Sequence, residues 1–181
     1  MGVACTIAFL AAFAGSELLT QVSNSFMKPV LLFILAAVLL YTYTKKNFGQ
    51  HVEKEHSAEK ELVYISIISL VIGFYDGFIG PGAGSFLILA FIAWLGFDFL
   101  HASAHAKMVN LATNLGSITL FLLKGKIIWL VALPMAISNA LGSIIGANLA
   151  IAKGNKFIRI FFLVVVTATL IRFAYDVFIH R

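Results

Sequence analysis

The chain has 181 residues, 61% of them hydrophobic and 12% charged, with a formal net charge of +5. Soluble domains carry about 25% charged residues, so this composition excludes a water-soluble globule and predicts an all-α integral membrane protein, a polytopic helical bundle partnered by membrane lipids. The one cysteine, Cys5, excludes an internal disulfide and a cysteine metal cluster, and the basic residues gather at segment ends, where they fit snorkelling and positive-inside placement and not a nucleic-acid footprint.

Val3 to about Leu19 forms the first apolar segment, and Val30 to about Thr44 the second, entered through Lys28-Pro29. Lys45 to Glu61 is the one long polar stretch and reads as a solvated linker. Leu62 to Ile79 is long enough to span, since about 20 residues cross the hydrocarbon core. Gly80-Pro81-Gly82-Ala83-Gly84 then interrupts the apolar run, and Ser85 to Leu95 is only half-length. Phe97 to Lys107 is a polar re-entry carrying His101 and His105, and Met108 to Leu123 is the next span, closed by Lys124-Gly125-Lys126. Ile127 to Ala150, with Pro134, and Phe157 to Ile179, with Arg172 and Asp176 near its end, read as the last two spans. Trp94, Trp129, Tyr41, Tyr43 and Tyr175 lie at segment edges and suit the interfacial aromatic belt. A cleaved signal peptide, with Ala12-Phe13-Ala14 as the cleavage site, lacks the basic n-region it needs.

The glycine-proline break carries the functional argument. A helix in lipid must satisfy its own backbone, and Pro81 has no N–H to give, while three glycines in five positions favour an unwound turn. Such a break is tolerated where it is buried in protein or lines a cavity, and transporters build substrate sites from broken helices with the half-helix N-terminus as an anion hook. The competing explanation is close helix packing through glycine, which rarely needs proline beside it. An anion at this place would take the N–H groups of Gly84, Ser85 and Phe86. The Ser85 hydroxyl adds a donor or caps the following helix.

Sliding the chain by 131 positions aligns Gly15 with Gly146, Leu18 with Leu149, Asn24 with Asn155, Phe26 with Phe157 and Lys28 with Arg159. This predicts an internal repeat, with residues 1–44 as the back half of a first copy, 45–61 as the linker and 62–181 as a complete second copy. The first copy's counterpart of the broken helix and the span after it is missing from this sequence. Three expectations follow: a fragment lacking an N-terminal half, a misplaced start, or completion by homo-oligomerisation.

Several side chains are candidates for the site. Asp76 lies one turn before the break in apolar sequence, and an intramembrane carboxylate is a functional candidate by default. It is the candidate proton carrier; the alternative is an interfacial, hydrated carboxylate. Lys107 either attracts an anion or snorkels to head groups. His105 titrates near neutral pH in one reading and is a hydrogen-bonding bystander in the other. Asn110, Thr113 and Asn114 share a helix face, as helix–helix glue or pathway lining. Asn139, Ser143 and Asn148 do likewise on the next helix, where Gly142 and Gly146 have the spacing of a close crossing.

The run Gly73-Phe74-Tyr75-Asp76-Gly77-Phe78-Ile79-Gly80-Pro81-Gly82-Ala83-Gly84-Ser85-Phe86, followed by Ala104-His105-Ala106-Lys107 and Asn110, resembles the second half of the TauE/SafE family, nearest its YfcA-like branch. The resemblance implies a bacterial inner-membrane permease, built from two related halves, for sulfite, sulfonates or related small organosulfur anions. The substrate-binding residues it suggests are Gly80, Pro81, Gly82, Gly84, Ser85, His105, Lys107, Asn110 and Asn114. The sequence departs from the family pattern in lacking a first glycine-rich segment, which puts transport by this chain alone in question. Two other classes compete: a truncated, non-transporting membrane subunit, and an intramembrane serine protease using Ser85 and His105. The glycine run has no following Lys-Ser/Thr pair, so ATP coupling is unsupported and no cofactor or metal is expected. If the stretch from Leu62 to Leu95 enters and returns to its own side, the lysine bias makes the linker cytoplasmic.

Overall fold

The computed structural model describes residues 2–44, 57–97 and 99–179. They form six helices: α1 (Gly2–Gln21), α2 (Asn24–Thr44), α3 (Ala58–Phe78), α4 (Ala83–Leu95), α5 (Phe99–Leu123) and α6 (Trp129–Ile179). The protein is an all-α polytopic membrane protein, with no strand among the described residues. Among the described residues, four helical stretches are long and apolar enough to cross a bilayer: Gly2–Gln21, Ala58–Phe78, His101–Leu123 and Trp129–Gly146. The linker expected at 45–61 lies mostly outside the described residues, and α3 already takes up its end.

Two boundaries differ from expectation. The second segment begins at Asn24, before Lys28-Pro29, because Ser23 caps it: the Phe26 N–H donates to Ser23 Oγ at 3.4 Å, and Pro29 is absorbed within the helix. The last two expected spans are one continuous helix, α6, of 51 residues. Lys153-Gly154-Asn155-Lys156 holds poor helix formers but no proline, and a single glycine costs only about 1 kcal/mol in a helix interior. The rod rises roughly 76 Å at 1.5 Å per residue, more than twice the ~30 Å hydrocarbon core.

Packing follows from which faces carry small residues. Buried Ala4, Ala8, Ala11, Ala12, Gly15 and Ser16 recur at helical spacing along one side of α1, and this side packs against α3 and α5. The contacts fix the directions. A methyl added at Gly73 would meet Ala8 and Ala11, and one at Gly77 would meet Ala12. Ser16 bonds Ser117, and Lys124 pairs with Glu17 at 2.5 Å. So α1, α3 and α5 run parallel. The α4 helix returns between them: Tyr75 meets Phe86 near the break, and Tyr64 meets Trp94 at the other end. Its buried Leu87, Phe91 and Leu95 pack with Ala102, Ala106 and Val109 of α5 and with Ile65 and Ile68 of α3. In lipid this close fit, and not exclusion of water, holds the helices together. The remaining pair is α2 against α6.

Candidate functional site at the α3–α4 break

In an α-helix the N–H of residue 81 would donate to the carbonyl of residue 77. Here α3 ends at Phe78 and Gly80 takes a left-handed turn, so Pro81 lies off the helix and the Gly77 carbonyl has no intrahelical donor. The donor comes from another helix: the buried Ser16 hydroxyl of α1 bonds the Gly77 oxygen at 3.0 Å. This reach needs two helices in backbone contact. A methyl on Gly15 would strike the Phe74 carbonyl and the Phe78 amide, and one on Gly77 would strike the Ala12 backbone. Ser16 also lies 2.8 Å from Ser117 Oγ of α5. A hydroxyl has one proton, so when Ser16 gives it to Gly77, Ser117 donates to Ser16.

Beyond Gly77 the chain unwinds. Both the Ile79 and Gly80 amides turn back to the Tyr75 carbonyl, at 2.8 and 3.2 Å. Gly80 and Gly82 have φ of 89° and 87°, left-handed values that side chains other than hydrogen rarely tolerate. The Tyr75 hydroxyl donates to the Pro81 carbonyl at 2.6 Å and ties the turn to the last turn of α3. The expected unwinding at Pro81 is therefore present. The Ala83 amide bonds the Gly80 carbonyl at 3.1 Å and starts α4.

One part of the expected anion hook is corrected. The Phe86 amide is spent on the Gly82 carbonyl at 3.0 Å, because it already belongs to the first intrahelical bond of α4. The amides of Gly84 and Ser85 have no partner among the described residues. Ser85 is exposed at the third position of α4 and does not cap it; the cap position is Gly82, which has no side-chain cap.

Asp76 projects from the last full turn of α3 onto α5 and is half-buried. Its Oδ2 accepts from Asn110 Nδ2 at 3.0 Å and contacts the buried Thr113 hydroxyl. Asn114 Nδ2 donates to Asn110 Oδ1 at 3.3 Å and extends the chain of polar groups. Thr113 Oγ1 also lies 2.8 Å from the Asn110 carbonyl. Its single proton faces two acceptors, a carbonyl and a carboxylate. Both contacts are satisfied together when Asp76 carries a proton and donates it to Thr113, which donates to Asn110.

The depth of this cluster follows from the helices. Thr113 is eleven residues before Lys124 at the rim, roughly 16 Å along the axis, about half the hydrocarbon core. Gly80, Pro81, Gly82, Gly84, Ser85, Asp76, Asn110 and Asn114 are thus gathered around one level of the bundle. His105 is not among them. Its Nδ1 lies 2.8 Å from the His101 carbonyl, and its ring packs on Phe97 and Phe91, 4.9 and 6.0 Å between centroids, toward the far end of α4. Lys107 is exposed on the outer side of α5. Sequence reasoning missed Ser16, Ser117 and Tyr75. The one signal available was the Gly-Pro-Gly break itself, which announces open carbonyls at the end of α3 and not the identity of their donors.

Comparison with known proteins identifies the family. The family model described as sulfite exporter TauE/SafE matches residues 1–173. The chain belongs to the TauE/SafE family. Among curated TauE/SafE-like relatives it is 38% identical over 165 residues to "Probable membrane transporter protein ORF9" of Sinorhizobium sp, covering 91% of this chain and 62% of that protein. It is 33% identical over 168 residues to "Probable membrane transporter protein YfcA" of Escherichia coli K12, covering 93% and 62%. It is 37% identical over 151 residues to a "Probable membrane transporter protein" of Haemophilus influenzae, covering 83% and 58%. The chain therefore spans about three-fifths of the length of these relatives. No solved structure gives a significant match. The chain is thus a TauE/SafE-family membrane protein with several candidate membrane-spanning helices among its described residues.

Proposed function

We propose that this chain is a secondary, non-ATP permease for small organosulfur anions such as sulfite and sulfonates, coupled to protons through Asp76, in a bacterial inner membrane with the 45–61 linker cytoplasmic. The observation that supports it most is the pairing of two unspent amides, Gly84 and Ser85 at the N-terminus of α4, with a half-buried carboxylate, Asp76, in the last turn of α3 on the other side of the break. A helix N-terminus favours negative charge. An ionised Asp76 opposes an anion there: two unit charges roughly 6 Å apart repel by about 3 kcal/mol at an effective dielectric of 20. A proton on Asp76 removes that repulsion, so proton and anion bind as a pair and cross as a pair. Asn110 and Asn114 hold the carboxylate and offer amide donors to the passing anion.

The test is uptake of labelled sulfite and sulfonates into vesicles carrying the purified protein under an imposed pH gradient. Gradient-driven flux is expected in the wild type and its loss in Asp76→Asn. Flux that keeps its pH-gradient dependence in Asp76→Asn removes the coupling assignment. The absence of any sulfur-anion flux in the wild type favours the second reading, a membrane subunit that does not transport alone. That reading draws support from the Trp129–Gly146 stretch of α6, which buries nothing against the described residues. The protease reading gains no support. Phe91, on which His105 packs, lies roughly 9 Å of helix axis beyond Ser85, out of hydrogen-bond reach for a nucleophile and its base.

A further inference from the structure

We propose that Ser16 is a positioning residue for the transport site: its hydroxyl serves the Gly77 carbonyl that the end of α3 leaves open and thereby holds Asp76 and the Gly80–Gly82 turn against α5. The inference rests on the reading of the α3–α4 break as the transport site. A serine within a helix ordinarily bonds a carbonyl one turn back on its own helix. Ser16 instead reaches across to α3, at 3.0 Å, and is fully buried where it does so. The carbonyl it meets is one that the end of α3 leaves without an intrahelical donor. The glycine contact at Gly15 and Gly77 brings the two backbones close enough for a side chain as short as serine to bridge them.

The second half of the clasp lies on α5. Ser117 bonds Ser16 at 2.8 Å and sits one turn after Thr113, the residue that contacts Asp76. Gly77 is the neighbour of Asp76 in sequence. Two polar links therefore cross the bundle side by side, Ser16–Gly77 with Ser117 on α1, α3 and α5, and Asp76 with Asn110 and Thr113 on α3 and α5. When the first link is lost, the Gly77 carbonyl must find another donor in a medium that has none to spare. The last turn of α3 then rotates and carries Asp76 off Thr113.

A matched pair of serine variants tests this. Ser16→Ala is expected to lower flux at least tenfold and to shift the infrared carboxyl band of Asp76, assigned by its disappearance in Asp76→Asn. Ser69→Ala is the control: Ser69 is also fully buried in the bundle, but its hydroxyl has no partner among the described residues, so the same change there is expected to cost less than twofold and to leave the band unmoved. Equal losses in the two variants overturn the proposal, as does a Ser16→Ala protein with unchanged flux and band. If Ser16→Ala fails to fold, Ser16→Cys, similar in shape with a weaker donor, is read instead: a shifted band supports the proposal and an unmoved band overturns it. The infrared arm needs no substrate. A wild type without sulfur-anion flux therefore sinks the functional reading, while the band still decides the role of Ser16.

Discussion

Replacing Gly77 by alanine is the sharpest mechanical test of the α1–α3 contact. The added methyl would fall on the Ala12 carbonyl oxygen, Cα and carbonyl carbon, all backbone atoms that no rotamer change can move aside. The two helices must separate, and the 3.0 Å link from Ser16 to the Gly77 carbonyl stretches beyond hydrogen-bonding range. Overpacking typically costs about 1–3 kcal/mol, and an interhelical hydrogen bond in a membrane protein contributes about 0.6 kcal/mol, with a maximum near 1.7. The helix propensity of alanine returns up to roughly 1 kcal/mol. The expected net destabilisation is about 1–4 kcal/mol, read as a shift in reversible unfolding in mixed detergent micelles. Gly84→Ala is the control, because a methyl there meets nothing within 4 Å, and its expected change is within about 1 kcal/mol of zero. Equal stability of the two variants would refute the close-contact argument and the Ser16 geometry with it.

Other consequences are equally direct. Thr113→Val keeps the shape and removes the hydroxyl that serves both Asp76 and the Asn110 carbonyl; proton-driven flux is expected to fall about tenfold, the scale of one lost hydrogen bond to a charged group, while protein yield and fold persist. Lys107→Ala is expected to leave flux within twofold of wild type, since the side chain is on the exposed side of α5; a tenfold loss would restore Lys107 to the anion path. In a Cys5→Ala background, Asn155→Cys is expected to react with a membrane-impermeant thiol reagent and Val164→Cys to stay protected. The two apolar stretches of α6 flank a polar patch at 153–156, and a rod of roughly 76 Å cannot bury both in one ~30 Å core.

Much of the architecture was legible because lipid leaves few choices. Apolar length gave the spans at Gly2–Gln21, Ala58–Phe78 and His101–Leu123 but divided α6 in two, and the interruption at Gly80–Gly84 followed from what proline and glycine do to a helix that has no water to fall back on. The Asp76–Asn110–Asn114 grouping was half legible: helical spacing put Asn110, Thr113 and Asn114 on one face, but only the fold turns that face toward α3. Ser16 was not legible. Nothing local distinguishes it from the other small residues of α1, and its partners are 61 and 101 residues away. His105 was misleading for the opposite reason, since its titration chemistry suggested a site while its ring serves packing against Phe91 and Phe97. Gly142 and Gly146 have the spacing of a close crossing, yet methyls added there meet nothing within 4 Å. Small-residue spacing says that a helix can be approached closely, and it does not say by what.

On the proposed reading, the polarity of the break explains why a carboxylate and an anion site share one place. The Gly77, Gly80, Pro81 and Gly82 carbonyls each have a donor within the protein, from Ser16, Ala83, Tyr75 and Phe86 respectively. What stays unspent falls into two groups at opposite helix ends. On the α4 side are the Gly84 and Ser85 amides, at the positive end of a helix dipole. On the α3 side are the Phe78 and Ile79 carbonyls, which accept no bond from the described residues, together with the Asp76 carboxylate, at the negative end. A turn with a donor end and an acceptor end suits a pair of opposite charges better than a single ion. On the proposed reading the anion belongs to the α4 end and the proton to Asp76. A permease of this kind then moves a nearly neutral couple through the low-dielectric centre of the bundle, where either charge alone is costly. Anion flux through the wild type that runs against the membrane potential without consuming the pH gradient would contradict that pairing.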